Sequence, residues 1–177
     1  MYRAKVVAWS FALLALSRPL VAQEYDPEAR LRELGLTLPT LSKPIANYVN
    51  VVRVANLLFL AGHSECGDNY MTGKVGRDLT LDSAYVSARR TALCLMSTLK
   101  AELGDLRKVR RVVRVLGMVN ATPDFTEHPR VINGCSDLLV QVFGERGRHA
   151  RSAAGMASLP LNIPVEIEMI VEVDDRR

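Results

Sequence analysis

Cysteine, histidine and aromatic residues are all scarce in this chain of 177 residues. The three cysteines are Cys66, Cys94 and Cys135, and no C-x-x-C pair occurs. An odd count excludes a disulfide framework covering all of them, and the spacing argues against a zinc ribbon. One bridge is permitted in an exported protein, with three pairings open. The reading taken is three free thiols, with Cys94 buried on a helix. The three histidines, His63, His128 and His149, do not stand at metal-binding spacing. His63 follows an apolar run and a glycine and reads as a loop-edge residue that can line a cleft. The G-x-S-x-G elbow, the phosphate loop, H-E-x-x-H and the dinucleotide fingerprint are all missing. No internal repeat or low-complexity tract is visible.

No apolar run reaches the roughly 20 residues that a bilayer-spanning helix needs. A shorter one stands at the N-terminus, where Arg3 and Lys5 precede an uncharged stretch from Val6 to Leu16. Its length suits a signal peptide, and small residues follow, so residues 1–22 are expected to be a leader cleaved after Ala22. The mature protein is then expected in the periplasm or outside the cell, with no membrane span. The full chain carries +4, but Arg3, Lys5 and Arg18 lie in the leader, which leaves +1 for the rest. A nearly neutral mature chain with 6% aromatics is poorly equipped to grip nucleic acid, and no such partner is expected. Hydrophobic residues at 49% and charged residues at 24% describe a folded domain, not a disordered one.

Periodicity supplies the elements. Residues 23–45 read as an arm in which Pro27 to Leu34 form a short helix ended by Gly35, and Pro39 and Pro44 keep the chain extended. Tyr48 to Val54 and Leu57 to Ala61 read as strands joined by a turn at Ala55-Asn56, and Gly62 to Gly76 as a loop. Leu81, Ala84, Ala88, Ala92, Leu95, Leu99 and Leu103 recur at helical spacing, with Thr80 or Asp82 as the cap and Gly104 as the stop. A strand over Val109 to Val119 and a helix over Pro129 to Phe143 follow. The last two strands, Ser152 to Ala157 and Val165 to Val173, are read as neighbours joined by a turn between Leu159-Pro160 and Pro164. In the second, Val165, Ile167, Met169, Val171 and Val173 share one face, and Glu166, Glu168, Ile170 and Glu172 the other. The order β-β-α-β-α-β-β predicts one α/β domain of the α+β kind, residues 46–175, with helices packed on one face of a mixed sheet.

Two features carry chemistry. Lys108, Arg110 and Arg114 fall on one strand face by alternation, and read as a solvated or carboxylate-paired surface that could also meet phosphates. Arg151 begins a strand after a glycine- and arginine-containing loop, and a guanidinium suits two-pronged capture of a small carboxylate. Glu166, read as lying on the adjacent strand, can hold a water or move a proton.

Beyond these, the chain resembles the RidA/YjgF superfamily, also labelled L-PSP endoribonucleases, and within it a subgroup with a chorismate-mutase-like fold. The resemblance runs through Ala46-Asn47-Tyr48-Val49, Asn56-Leu57-Leu58-Phe59 with Gly62, Gly73-Lys74-Val75-Gly76, Val119-Asn120 and Pro123-Asp124-Phe125-Thr126. It continues through Val131-Ile132-Asn133-Gly134, Ser136-Asp137-Leu138-Leu139, His149-Ala150-Arg151-Ser152, Leu159-Pro160-Leu161-Asn162 and Pro164-Val165-Glu166-Ile167-Glu168. It implies a homotrimer with ligand clefts between subunits and needs no metal or organic cofactor. In the deaminase branch the residue matched by Arg151 grips the carboxylate of an enamine or imine derived from an amino acid. The glutamate matched by Glu166 positions the water that hydrolyses it to a keto acid and ammonia. Positions matched by Tyr48 and Asn133 line the cleft. Three positions depart from that branch: Ala153 replaces a cysteine, Ala61 a serine and Ser136 a tyrosine. A hydrolytic deaminase is the first expectation, a non-catalytic trimer holding small carboxylates the second, and a ribonuclease the third.

Overall fold

The computed structural model describes residues 25–41 and 46–174. The expected leader at residues 1–22 and the extended segment at Pro44 lie outside the described residues. The elements are α1 (Pro27–Glu33), β1 (Val51–Val54), β2 (Leu57–His63), α2 (Leu81–Leu103), β3 (Val109–Asn120), α3 (His128–Phe143), β4 (Ala150–Met156) and β5 (Val165–Val173). The strands form one sheet in the order β1-β2-β5-β3-β4. Only β3 and β4 run parallel, and the helix that such a pair requires is α3. The chain is α+β, with its helices on one face of a mixed sheet.

Helix α2 takes the bounds that its apolar spacing predicts. The Thr80 side chain accepts from the Ser83 N–H at one end, and Gly104 closes the other at φ 74°. Ala84, Ala88, Ala92, Leu95 and Leu99 are fully buried. That alanine-lined face lets α3 approach closely, and a methyl group on Gly134 would overlap the backbone carbonyl of Tyr85. Val131, Leu138, Leu139 and Val142 of α3 close the core from the helix side. Val165, Ile167, Met169, Val171 and Val173 close it from the sheet, as their alternation predicts.

Four differences from the sequence reading have physical causes. First, β4 and β5 are not neighbours. β4 pairs with β3 on one side and β5 pairs with it on the other, so residues 157–164 carry the chain across the end of β3. The Asn120 N–H donates to the Pro164 carbonyl there, and the Ala121 N–H to the Met156 carbonyl. Second, β1 starts at Val51 because its ladder with β2 begins there, leaving Tyr48 in irregular chain. Third, β3 shifts register between Val109 and Arg111 and again between Val112 and Arg114. These bulges break simple alternation: Val109, Val112 and Val115 are buried, Arg110 and Arg111 are both exposed, and Arg110 bonds Asp174 at 3.0 Å. Fourth, Cys66 and Cys94 form a disulfide across 28 residues, and only Cys135 is a free thiol. Spacing along the chain does not show that the loop after β2 folds back onto α2.

Candidate functional site

Arg151 sits near the start of the edge strand β4, opposite Val115 of β3. Val115 is buried against the helices, so the Arg151 side chain lies on the helix side of the sheet. There Nη1 donates to Asn133 Oδ1 at 2.8 Å and to Ser136 Oγ at 3.0 Å, both on α3. Positions 133 and 136 share a helix face, and His149, just before β4, stands two residues from Arg151. Accordingly His149 joins the cluster, its Nε2 3.1 Å from Ser136 Oγ. Arg151 makes no ion pair among the described residues, so its charge is held by neutral oxygens alone. Cys135 lies beside this cluster, but burial pushes its thiol up to about 12, which leaves it protonated and inert as a nucleophile.

Glu166 stands opposite Met118 of β3, with the buried Val165 and Ile167 on either side of it. Its side chain therefore projects from the open face, away from the helices. The carboxylate lies over Gly62, where a methyl group would collide with it. Burial pushes the Glu166 carboxyl above its usual value, and the charge of Glu168 adds to the effect. Like Arg151, it has no ion-pair partner among the described residues. Glu166 lines a cavity of about 390 Å³ together with Tyr48, Gly62, His63, Tyr70 and Pro160. His63 closes one wall, its Nδ1 2.7 Å from the Ala61 carbonyl and its Nε2 2.7 Å from Thr98 Oγ1. Burial lowers its pKa, so the ring is neutral at pH 7.

The four residues named from the sequence thus form two groups. Arg151 and Asn133 meet on the helix side at the β4 edge, and Tyr48 and Glu166 line one cavity on the open side near β2. Within one chain β3 separates Arg151 from Glu166, which corrects the reading of the two as adjacent-strand neighbours. Ser136 and His149 belong to the arginine group although sequence reasoning gave them no role. The signal was present in the Asn133/Ser136 and His149/Arg151 spacings. Among the described residues no three His, Cys, Asp or Glu side chains gather where a metal ion could sit.

The sequence profile of the YjgF/chorismate mutase-like family, whose description also suggests an endoribonuclease, matches residues 28–173. The chain belongs to this RidA/YjgF family. It is 43% identical over 150 residues to protein TCP17 of Trypanosoma cruzi, covering 83% of this chain and 94% of that protein. Over 139 residues it is 27% identical to a 2-iminobutanoate/2-iminopropanoate deaminase of Dermatophagoides farinae, covering 78% and 95%. Among solved structures, protein Atu1372 of Agrobacterium tumefaciens, described as of unknown function, shares 48% identity at a TM-score of 0.78. The match covers 84% of this chain and 92% of that one. Membership of the RidA/YjgF family accounts for the mixed sheet with helices on one face.

Proposed function

We propose that this RidA/YjgF protein is a homotrimer that hydrolyses reactive imines, and their enamine tautomers, derived from amino acids. The observation that carries this reading is Arg151, a guanidinium engaged, among the described residues, only by neutral oxygens and only through Nη1. A structural arginine at a strand edge would be expected to pair with a carboxylate. This one keeps Nε and Nη2 for a ligand's carboxylate. The deaminase named among its relatives supports the substrate class.

In the proposed cleft Arg151 of one subunit faces Tyr48 and Glu166 of the next. The guanidinium fixes the carboxylate of the 2-imino acid, which places its C=N carbon over Glu166. The raised proton affinity of Glu166 suits it to accept a proton from water as the water oxygen bonds to that carbon. Glu166 returns that proton to the nitrogen, giving a carbinolamine. It then takes the proton of the new hydroxyl and delivers it to the amino nitrogen as the C=O bond forms and the C–N bond breaks, and ammonia and a 2-keto acid leave.

One feature favours a second reading. Ala153, on the same strand face as Arg151, offers no polar atom to the reacting centre. A trimer that holds small carboxylates without turning them over fits that site. Both readings are tested with mature protein, beginning near Gln23, added to an amino-acid oxidase that generates imines in the same tube. Ammonia release above the spontaneous rate supports the deaminase. Calorimetric binding of 2-ketobutyrate with no acceleration supports the carboxylate-holding protein. Neither binding nor acceleration removes both.

A further inference from the structure

Arg151 is aimed by a chain of neutral groups, and the chemistry of the partners fixes the direction of each proton in it. The Gly147 carbonyl oxygen can only accept, and it lies 2.7 Å from His149 Nδ1. Nδ1 therefore carries a hydrogen. Burial holds the His149 pKa below its ordinary value, and the positive charge of Arg151 acts in the same direction. At pH 7 the ring is neutral, so Nε2 is a bare acceptor. It accepts a hydrogen bond from the Ser136 hydroxyl across 3.1 Å. The Ser136 oxygen then turns lone pairs alone toward Arg151 Nη1, at 3.0 Å. Asn133 Oδ1 accepts from the same nitrogen at 2.8 Å. Both hydrogens of Nη1 are thereby used, the guanidinium plane is fixed, and the Nε–Nη2 edge is left for a ligand.

We propose that Ser136 and His149 are positioning residues for Arg151, a Gly147–His149–Ser136 relay that sets the angle at which the guanidinium meets a carboxylate. This rests on reading Arg151 as the carboxylate anchor. A serine hydroxyl bonded to a histidine also has the outline of a nucleophile and its base. Here the lone pairs that would attack are occupied by Arg151, and Ser136 is half-buried on α3. The neighbours of His149 are consistent with one dominant charge. Glu145 and Arg148 in the preceding turn pair with each other at 2.9 Å, Asp137 of α3 is bonded by Tyr85, and Cys135 is a neutral thiol. Arg114 of β3 lies opposite Ala150. Protonating His149 turns Nε2 into a donor, and Ser136 then faces two donors at once.

The relay is read by nitrogen NMR of the Arg151 side chain in the mature protein, assigned with Arg151→Lys, beside calorimetric titration with 2-ketobutyrate. In the wild type the Arg151 signals shift as pH falls below 6.5 and His149 takes up its proton, and in Ser136→Ala that response disappears. Ser136→Ala, which removes a hydrogen bond to the charged guanidinium, binds 2-ketobutyrate about tenfold more weakly, His149→Phe, which removes a neutral one, about fivefold, and Ser136→Thr restores affinity. Where thermal melts show that Ser136→Ala has not folded, Ser136→Cys serves, since its sulfur is a weak acceptor. Wild-type affinity in Ser136→Ala, with Arg151 signals indifferent to His149, overturns the relay and leaves the anchor standing. Arg151 signals that follow His149 in a protein that does not bind 2-ketobutyrate remove the assigned ligand and leave the relay standing.

Discussion

Glu166 is a residue that the fold tolerates rather than profits from. Its carboxyl is half-buried beside Glu168, so its folded pKa lies above the ordinary 4.5. The folded state then binds the proton more tightly than the unfolded state. Stability falls as pH rises through the window between 4.5 and the raised value, and the penalty is fully present above that window. Glu166→Gln removes it. The variant is expected to melt at a higher temperature than the wild type at pH 7 while losing imine hydrolysis. A lower melting temperature would make Glu166 a structural residue. His63 and His149 act with the opposite sign. Both have pKa values lowered from 6.5, so their contribution is complete above 6.5 and is lost as pH falls below it. At the arginine, Arg151→Lys keeps the charge but replaces a planar fork with a point contact. Loss of a hydrogen bond to a charged group contributes roughly 1.5–3 kcal/mol, so 2-ketobutyrate should bind about tenfold to 150-fold more weakly, with the melting temperature unchanged. Unchanged affinity on calorimetric titration would take Arg151 out of the site. Arg151 and Asn133 were legible as members of one cleft through the family resemblance, but the bond between them was not. Ser136 was noticed only as a departure, because its part depends on a histidine 13 residues away.

At the scale of elements, one side of α2 does the fastening. Arg90, Cys94 and Thr98 recur every fourth residue, and each holds one residue of the run from His63, the end of β2, into the loop that follows it. Arg90 pairs with the buried Glu65 at 3.2 Å, Cys94 is bonded to Cys66, and Thr98 meets His63. The same loop lines the cavity under Glu166. Closing a loop of this size restricts the unfolded chain by roughly 3–4 kcal/mol. Cys66→Ser should therefore lower stability by about that amount, measured by denaturant titration, with new proteolytic cuts between residues 63 and 70. Equal stability of oxidised protein and variant would show that the bridge does not brace the loop. A second prediction concerns the α2–α3 contact. Gly134→Ala drives a methyl into the Tyr85 carbonyl, and the helices must part, at a cost of about 1–3 kcal/mol in a thermal melt. Helix limits and the buried face of β5 were legible because they are encoded by local period. The disulfide and the bulges of β3 were not, because each is decided by what packs across the sequence. The same holds for strand order: alternation says which face a residue occupies and nothing about which strand lies beside it.

The whole molecule has one covered sheet face and one open face. Val52, Val54 and Phe59 are 52%, 56% and 40% exposed in a single chain. Glu168 and Arg114 stand among apolar residues in a second cavity of about 290 Å³ on that face. An apolar sheet face with an open edge at β4 is a surface made for association. The placement of the two charged groups gives the stronger reason. Arg151 lies on the helix side and Glu166 on the open side, so a ligand that touches both must lie between two chains. Light scattering is expected to give three times the chain mass, and a monomer at micromolar concentration would refute the arrangement. Subunit mixing tests the shared cleft itself. Assayed well below saturation, Arg151→Lys should retain no more than about a tenth of the activity and Glu166→Gln essentially none. In a trimer mixed at random from equal amounts, three quarters of the assemblies contain both chains. Each of those has one interface at which an intact Arg151 faces an intact Glu166. About one quarter of all clefts are then of wild-type composition, and about one quarter of wild-type ammonia release should return after co-refolding. If each site were built within one chain, every site would carry one of the two substitutions, and mixing would restore nothing.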